Sequence, residues 1–218
     1  MDANVALVAG GSGLVGGQLL DEILARPAWE KTIALVRRPL GRSHARLEEL
    51  TVDFATLGEG RPLPKAAAAF CCLGTTMKTA GSRQAFRAVD FDAVLHFARA
   101  ALAGGTRRFY VVSSTGSDAH SRIFYSRVKG EMEDALRALP FESLGIARPS
   151  LLLGDRLESR PFERVAVVGA RWLAPLLKPL GGRPIEARTV ARALLAMAEH
   201  PVAGVTVHDN ASLHSLGV

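Results

Sequence analysis

An apolar run from Val5 to Ala9 breaks into Gly10-x-x-Gly13-x-x-Gly16, and no other stretch of the 218 residues restricts the fold as much. The pattern predicts a strand over Asn4 to Ala9 and a helix over Leu14 to Ala25, joined by a turn that only glycine can make. Gly10 allows the tight turn, Gly13 lets backbone come close to an anion, and Gly16 lets the helix lie against the strand. The unpaired N–H groups and positive end of the helix dipole then face a negatively charged ligand. This strand–turn–helix context separates a pyrophosphate turn from three glycines in a loose loop. Ser12, Leu14 and Val15 fall inside it.

The next strand indicates which dinucleotide fits. Lys31 to Val36 reads as a short buried strand, and it ends in Arg37-Arg38-Pro39. A site built for NAD would carry an Asp or Glu at that strand end, to hold the ribose 2′-hydroxyl. Two arginines stand there instead. Guanidinium forks match phosphate oxygens, so Arg37 and Arg38 are expected to hold the 2′-phosphate of NADP (NADPH). The competing reading is a solvated basic turn.

Composition sets the remaining bounds. The length suits one α/β domain with a small appendage, and 48% hydrophobic residues provide a sizeable core. A net charge of +6 invites a nucleic-acid reading, but the arginines are scattered and the aromatics, at 6%, do not alternate with them as a base-stacking surface requires. No nucleic-acid partner is expected. Cys71 and Cys72, the two cysteines, are neighbours in a strand and point to opposite faces, which excludes a shared metal and a disulfide framework. The six histidines lack ligand spacing, so no metal site is expected. Asp2 and Asn4 run straight into the first strand with no signal peptide between, which gives the expectation of a cytosolic protein.

Strands and helices alternate along the chain as a doubly wound parallel sheet, a Rossmann fold, requires. Leu50 to Val52 reads as a third strand ending at Asp53, and Ala67 to Leu73 as a fourth ending at Gly74. Ser82 to Ala103 reads as one amphipathic helix, with Phe86, Val89, Ala93, Val94, Phe97, Ala98 and Ala101 recurring at threes and fours and Gly104-Gly105 ending it. Phe109 to Val112 is the fifth strand, a helix follows from about Phe124 to Leu139, and Ser143 to Arg148 is the sixth strand. Asp53 is placed either to contact the adenine or to cap its own loop. Residues 149–218 are expected as a small C-terminal substrate lobe on a single domain spanning 1–218.

A second constellation falls at the carboxyl edge of that sheet, where open α/β folds bind ligands. Tyr125 and Lys129 stand four apart on one helical face, downstream of Ser113-Ser114 at the end of the fifth strand. A phenol is a poor proton-transfer group at neutral pH unless a cation favours its phenolate, and Lys129 supplies the cation. Ser114, or its neighbour Ser113, can hydrogen-bond the reacting oxygen. Tyr125, Lys129 and Ser114 are the catalytic candidates.

With the glycine turn, these residues resemble the short-chain dehydrogenase/reductase superfamily in its extended and atypical branch. Phe70 to Thr76, Val128-Lys129-Gly130-Glu131, Arg148-Pro149 and Asp155 to Pro161 resemble the Tat-interacting oxidoreductase-like proteins within it, and the likeness runs through nearly the whole chain. The resemblance implies an NADPH-bound Rossmann domain whose cofactor is lined by Ser12 to Val15, Arg37, Arg38, Leu73, Gly74, Tyr125, Lys129, Leu152 and Arg160. It also implies that Lys129 holds the nicotinamide ribose. Tyr125 lacks the flanking glycine common in sugar-nucleotide epimerases, so epimerase activity is not implied. The expected function is an NADP(H)-dependent oxidoreductase acting on a small carbonyl or alcohol; the alternative is a non-catalytic NADPH-binding regulator that senses redox state.

Two tryptophans remain. Trp29 is expected to pack over the first helix, and Trp172 to sit either in the core or at the rim of a substrate pocket. The apolar run Val165 to Leu180 is broken by Arg171, Pro175 and Lys178 and falls short of a bilayer span. A lid, or the contact helix of a homodimer, is the expectation there.

Overall fold

The computed structural model describes residues 4–58, 62–154 and 183–218. The chain begins β1 (Val5–Ala9), α1 (Leu14–Ala25), β2 (Lys31–Val36), β3 (Leu47–Thr51) and β4 (Ala68–Cys71). It continues through two short helices, α2 (Met77–Ala80) and α3 (Arg83–Arg87), a π-helical turn over Ala88–Asp92, and α4 (Ala93–Ala103). Then come β5 (Arg108–Val112), α5 (Phe124–Arg137), β6 (Ser143–Ala147) and β7 (Leu152–Leu153). The last described elements are β8 (Ile185–Glu186), α6 (Ala187–Glu199), β9 (Gly204–His208) and α7 (Asn210–Leu216).

Seven strands form one parallel sheet in the order β3-β2-β1-β4-β5-β6-β9, while β7 and β8 pair separately. A parallel sheet must be covered on both faces, and β1 shows how the sequence arranges it. Ala6 and Val8 point into a core with Leu19 and Ile23 of α1 and Val190 and Leu194 of α6. Leu7 and Ala9 point the other way, into a core with Val94 and Phe97 of α4 and Met132 and Leu136 of α5. Cys71 faces the second core and Cys72 packs against the first, as their adjacency in the chain predicts. This is the doubly wound Rossmann architecture. Residues 187–216, inside the segment expected as a C-terminal lobe, supply a strand of the main sheet and a helix of its outer layer.

Three expected elements differ from those observed, the fourth strand in ending at Cys71 rather than Leu73. The third strand starts at Leu47 rather than Leu50, because Glu48 lies on the solvent side of an edge strand and pairs there with Lys31 at 2.5 Å. The long helix expected over 82–103 is interrupted by the π-helical turn, whose extra residue per turn resets which side chains face inward. Asp90 lies in that turn and is 1% exposed.

Polar side chains fasten α1 to its surroundings. Arg46, just before β3, donates to the carbonyls of Arg26 at 2.8 Å and Trp29 at 2.6 Å, and also to that of Leu24, so it closes the carboxyl end of α1 from outside the helix. On the outer face Glu22 accepts from Arg188 at 2.7 Å, Arg192 at 3.0 Å and Arg26 at 2.9 Å, which joins α1 to α6. Burial works against the Glu22 charge, but the arginine hydrogen bonds outweigh it and bring the carboxyl down to about 2.

Candidate cofactor and catalytic site

The sheet order reverses direction between β1 and β4, and ligands of open α/β sheets bind in the crevice outside such a point. The glycine turn lies there. Gly10 has φ +87°, and a Cβ on it would lie 2.5 Å from the Cys72 carbonyl carbon and oxygen. A Cβ on Gly16 would lie 2.1 Å from the Gly10 oxygen, so the helix can approach the turn only with glycine at that position. Gly13 is the N-cap of α1 with no side-chain cap, and the first helical turn carries no acid. An anion would therefore meet the amides of Leu14 to Gly16, which no side chain caps, while the Gly13 N–H is given to the Gly10 carbonyl at 2.9 Å. Ser12 and Gly13 are exposed, Leu14 is half-buried, and Val15 is buried in the core, so Val15 and Gly16 could reach a ligand only through their backbones. A dinucleotide fits this cradle on shape and charge.

Arg37 and Arg38 follow β2, are both exposed, and have no ion-pair partner among the described residues. Their loop borders the glycine turn, since Leu40 lies 3.6 Å from where a Gly11 side chain would begin. Asp53 is exposed and accepts the Ala55 N–H at 2.9 Å, the loop-capping arrangement. Leu152 is half-buried in β7. Arg160, Trp172 and the run Val165 to Leu180 lie outside the described residues.

The catalytic candidates gather at the carboxyl ends of β4 and β5. Tyr125 is half-buried in the first turn of α5, its ring packed against Phe86 at 5.5 Å. Lys129, one turn later, is 4% exposed, and its Nζ lies 2.7 Å from Asp90 Oδ1. The contact is an ion pair between two buried groups. The other carboxylate oxygen, Oδ2, accepts the Thr75 N–H at 2.8 Å. A Cβ on Gly74 would lie 3.5 Å from Asp90 Oδ1 and 3.9 Å from Lys129 Nζ, so the exposed Gly74 backbone, with half-buried Leu73 beside it, lies directly against the pair. Burial weighs against the Lys129 charge, but the Asp90 carboxylate and then Tyr125 outweigh it and hold the lysine above its ordinary value. Burial pushes the Cys71 thiol up to about 12, which leaves it without nucleophilic character at neutral pH.

Ser113 and Ser114 differ in what their hydroxyls can do. Ser113 is buried and donates to Glu133 at 2.5 Å, so its proton is committed to the interior. Ser114 is half-buried, and its hydroxyl makes only a long 3.2 Å contact to the Thr115 carbonyl. Glu133 in turn takes both arms of Arg148, at 2.9 and 2.6 Å, and Ser117 holds the Ser114 carbonyl at 2.7 Å. This buried network fixes the loop that carries Ser114. A groove of about 370 Å³ lined by residues including Ser117, His120, Glu133 and Arg148 contains neither Tyr125, Lys129 nor any residue of the glycine turn.

The sequence reading missed Asp90 and Glu133. Asp90 leaves a signal, a carboxylate on an apolar helical face between Phe86 and Val94, whereas Glu133 has Lys129 and Arg137 four residues either side of it and leaves none. Among the described residues no group of His, Cys, Asp and Glu could hold a metal ion, and no helix is long and apolar enough to cross a membrane.

Residues 6–115 match the NAD dependent epimerase/dehydratase family. The chain belongs to that family. Family relatives include Protein HTATIP2 of Rattus norvegicus, 39% identical over 170 residues that cover 76% of this chain and 70% of that protein. Protein fmp52, mitochondrial, of Emericella nidulans is 39% identical over 173 residues, covering 75% and 73%. Among solved structures the fold is shared with MoeE5 in complex with UDP-glucose and NAD, at TM-score 0.70 and 19% identity over 98% of this chain and 81% of that one. It is also shared with the human epimerase family protein SDR39U1 with NADPH, at TM-score 0.64 and 17% identity over 94% and 74%. The family is thus one of NAD(P)-binding, oxidoreductase-type proteins. The expected cytosolic location is corrected by the fungal relatives, which are named mitochondrial proteins.

Proposed function

We propose that the protein is an NADP(H)-dependent oxidoreductase of short-chain dehydrogenase/reductase type acting on a small carbonyl or alcohol. The observation that carries this reading is the half-buried Tyr125 one helical turn from the buried Lys129, at a sheet edge shared with the glycine turn. When bound, the nicotinamide supplies or accepts the hydride. The backbone amides of Leu14 to Gly16 would hold the pyrophosphate, and Arg37 and Arg38 would hold the 2′-phosphate that distinguishes NADP from NAD. Lys129 keeps a charged ammonium one helical turn from Tyr125 and would hold the nicotinamide ribose. Ser114 donates a hydrogen bond to the substrate oxygen, and Tyr125 Oη exchanges a proton with that oxygen as it changes between carbonyl and hydroxyl.

The test is consumption of NADPH against a panel of small aldehydes and ketones by the wild type and by Tyr125→Phe. The variant should bind NADPH within a few-fold of wild type and lose turnover by at least about a hundredfold, because the ring packing on Phe86 survives and only the transferable proton is removed. Turnover by Tyr125→Phe at the wild-type rate sinks the mechanism. Tight NADPH binding with no consumption against any carbonyl assigns the protein instead to a regulatory role.

A further inference from the structure

Tyr125, Lys129 and Glu133 follow one another at single-turn intervals along α5, and only the first two have a part in the chemistry proposed above. Glu133 is 1% exposed and meets the Ser113 to Ala119 stretch of the loop between β5 and α5. That stretch is seated on the helix at three successive levels. The Asp118 N–H donates at 3.1 Å to the carbonyl of Ser126, the residue after Tyr125. One turn on, Gly130 makes a notch for the backbone: a Cβ there would lie 2.1 Å from the Ala119 nitrogen and 2.2 Å from the Asp118 carbonyl carbon. Nearly a turn further, the Ser113 hydroxyl donates to Glu133 at 2.5 Å.

The Ser114 hydroxyl makes a long 3.2 Å contact to the next carbonyl, so its place is set by the backbone on either side. On one side Ser113 is tied to Glu133. On the other, the Ser114 carbonyl accepts from the Ser117 hydroxyl at 2.7 Å and the Ser117 N–H at 3.2 Å. Two hydroxyl protons serve three contacts here. A carboxylate can only accept, so Glu133 takes the Ser113 proton, and the Ser117 proton goes to the Ser114 carbonyl rather than to the Ser113 oxygen at 3.0 Å. Glu133 is itself a fixed point, held by both arms of Arg148 and by Arg137 at 3.2 Å.

We propose that Glu133 is a positioning residue for the chemical step: through Ser113 it fixes, against the helix that carries Tyr125, the backbone from which Ser114 offers its hydroxyl to the substrate. The inference rests on the catalytic reading of Tyr125 and Ser114 given above. In this role Glu133 touches neither substrate nor cofactor. A misplacement on the order of 1 Å in a group that meets the reacting oxygen costs about a hundredfold in rate. Releasing Ser113 leaves two ties to the loop, the Ser117 hydroxyl and the Thr115 N–H, which donates to the Pro149 carbonyl at 2.9 Å. The expected loss is therefore smaller, about tenfold.

Two variants break the tie and keep the charge that Arg148 and Arg137 need. Ser113→Ala deletes the donor. Glu133→Asp withdraws the carboxylate by one methylene; the long arginine side chains can follow it, but Ser113, held at the strand end by its N–H on the Ala147 carbonyl at 2.7 Å, cannot. With the best carbonyl of the panel, each should lose about tenfold in kcat while the NADPH Kd stays within a few-fold of wild type. Adding Ser113→Ala to Ser114→Ala should cost less than about twofold beyond Ser114→Ala alone, because the group being positioned is no longer there. A merely structural role gives losses that multiply. Hydrogen exchange supplies a readout independent of turnover: the amides of Thr115 and Ser117 should exchange at least about tenfold faster in both variants, with those of β5 unchanged. Wild-type kcat in Ser113→Ala, losses that multiply, or unchanged loop amides each overturn the proposal, and Ser113→Ala decides alone if Glu133→Asp does not fold. Faster loop amides in a protein whose wild type consumes no NADPH leave the tie standing and refute the catalytic reading it rests on.

Discussion

Glu22→Gln is the perturbation whose size and pH dependence follow most directly from the structure. The side chain is 8% exposed and accepts from three arginines, Arg26 on its own helix and Arg188 and Arg192 on α6. Glutamine keeps the shape and loses the charge. A carboxyl held at about 2 in the fold against 4.5 in the open chain corresponds to about 3 kcal/mol at full strength. The arginines are 35–59% exposed, so solvent screens the cluster, and the expected deficit is on the order of 1–2 kcal/mol at pH 7. The folded-state pKa is depressed, so the stabilisation is complete above about pH 4.5 and is lost as pH falls toward 2. The stability difference between wild type and Glu22→Gln, measured by urea unfolding at a series of pH values, should therefore be constant from pH 7 to 5 and shrink by roughly half by about pH 3. Taking the difference cancels the other carboxylates. A deficit that stays constant down to pH 3, or one absent at pH 7, would show that the cluster is not electrostatic in origin.

Two further outcomes concern the cofactor. Replacing Arg37 and Arg38 together by Ala should weaken NADPH by about a hundredfold, on the order of 3 kcal/mol, with NADH nearly unchanged; calorimetry that finds equal losses for both removes the basis for NADP preference. Gly16→Val puts a Cβ 2.1 Å from the Gly10 oxygen, so it should lower the melting temperature and abolish binding of either dinucleotide, and a folded variant with wild-type NADPH affinity would contradict the role given to the glycine turn.

Where backbone and apolar pattern decide the structure, the sequence was legible. β1, α1, β2 and β5 lie within a residue of their expected bounds, because each is an apolar run closed by glycine, proline or polar residues. β3 was offset because a half-exposed edge strand carries Glu48 and Glu49 and hides its pattern. α6 was not read at all, although Val190, Ala191, Leu194, Leu195 and Ala198 recur at threes and fours. The glycine turn, Tyr125 and Lys129 could be found because their chemistry fixes a local spacing. Asp90 and Glu133 could not, since each acquires its role from a distant partner, Lys129 for one and Arg148 for the other. A local pattern shows that a carboxylate faces inward but not which cation will meet it.

Arg46 has a consequence for how the chain folds. The C-cap Arg26 closes part of the last turn of α1 itself, its N–H donating to the Ile23 carbonyl and its side chain to that of Glu22, but the carbonyls of Leu24 and Arg26 are met by the Arg46 guanidinium, which follows β2 in the chain. The carboxyl end of α1 is therefore complete only once the loop between β2 and β3 has closed on it. We expect this N-terminal third to open and shut as one cooperative unit in native-state hydrogen exchange. A loss of Arg46 would then loosen the amides of α1 in step with those of β2.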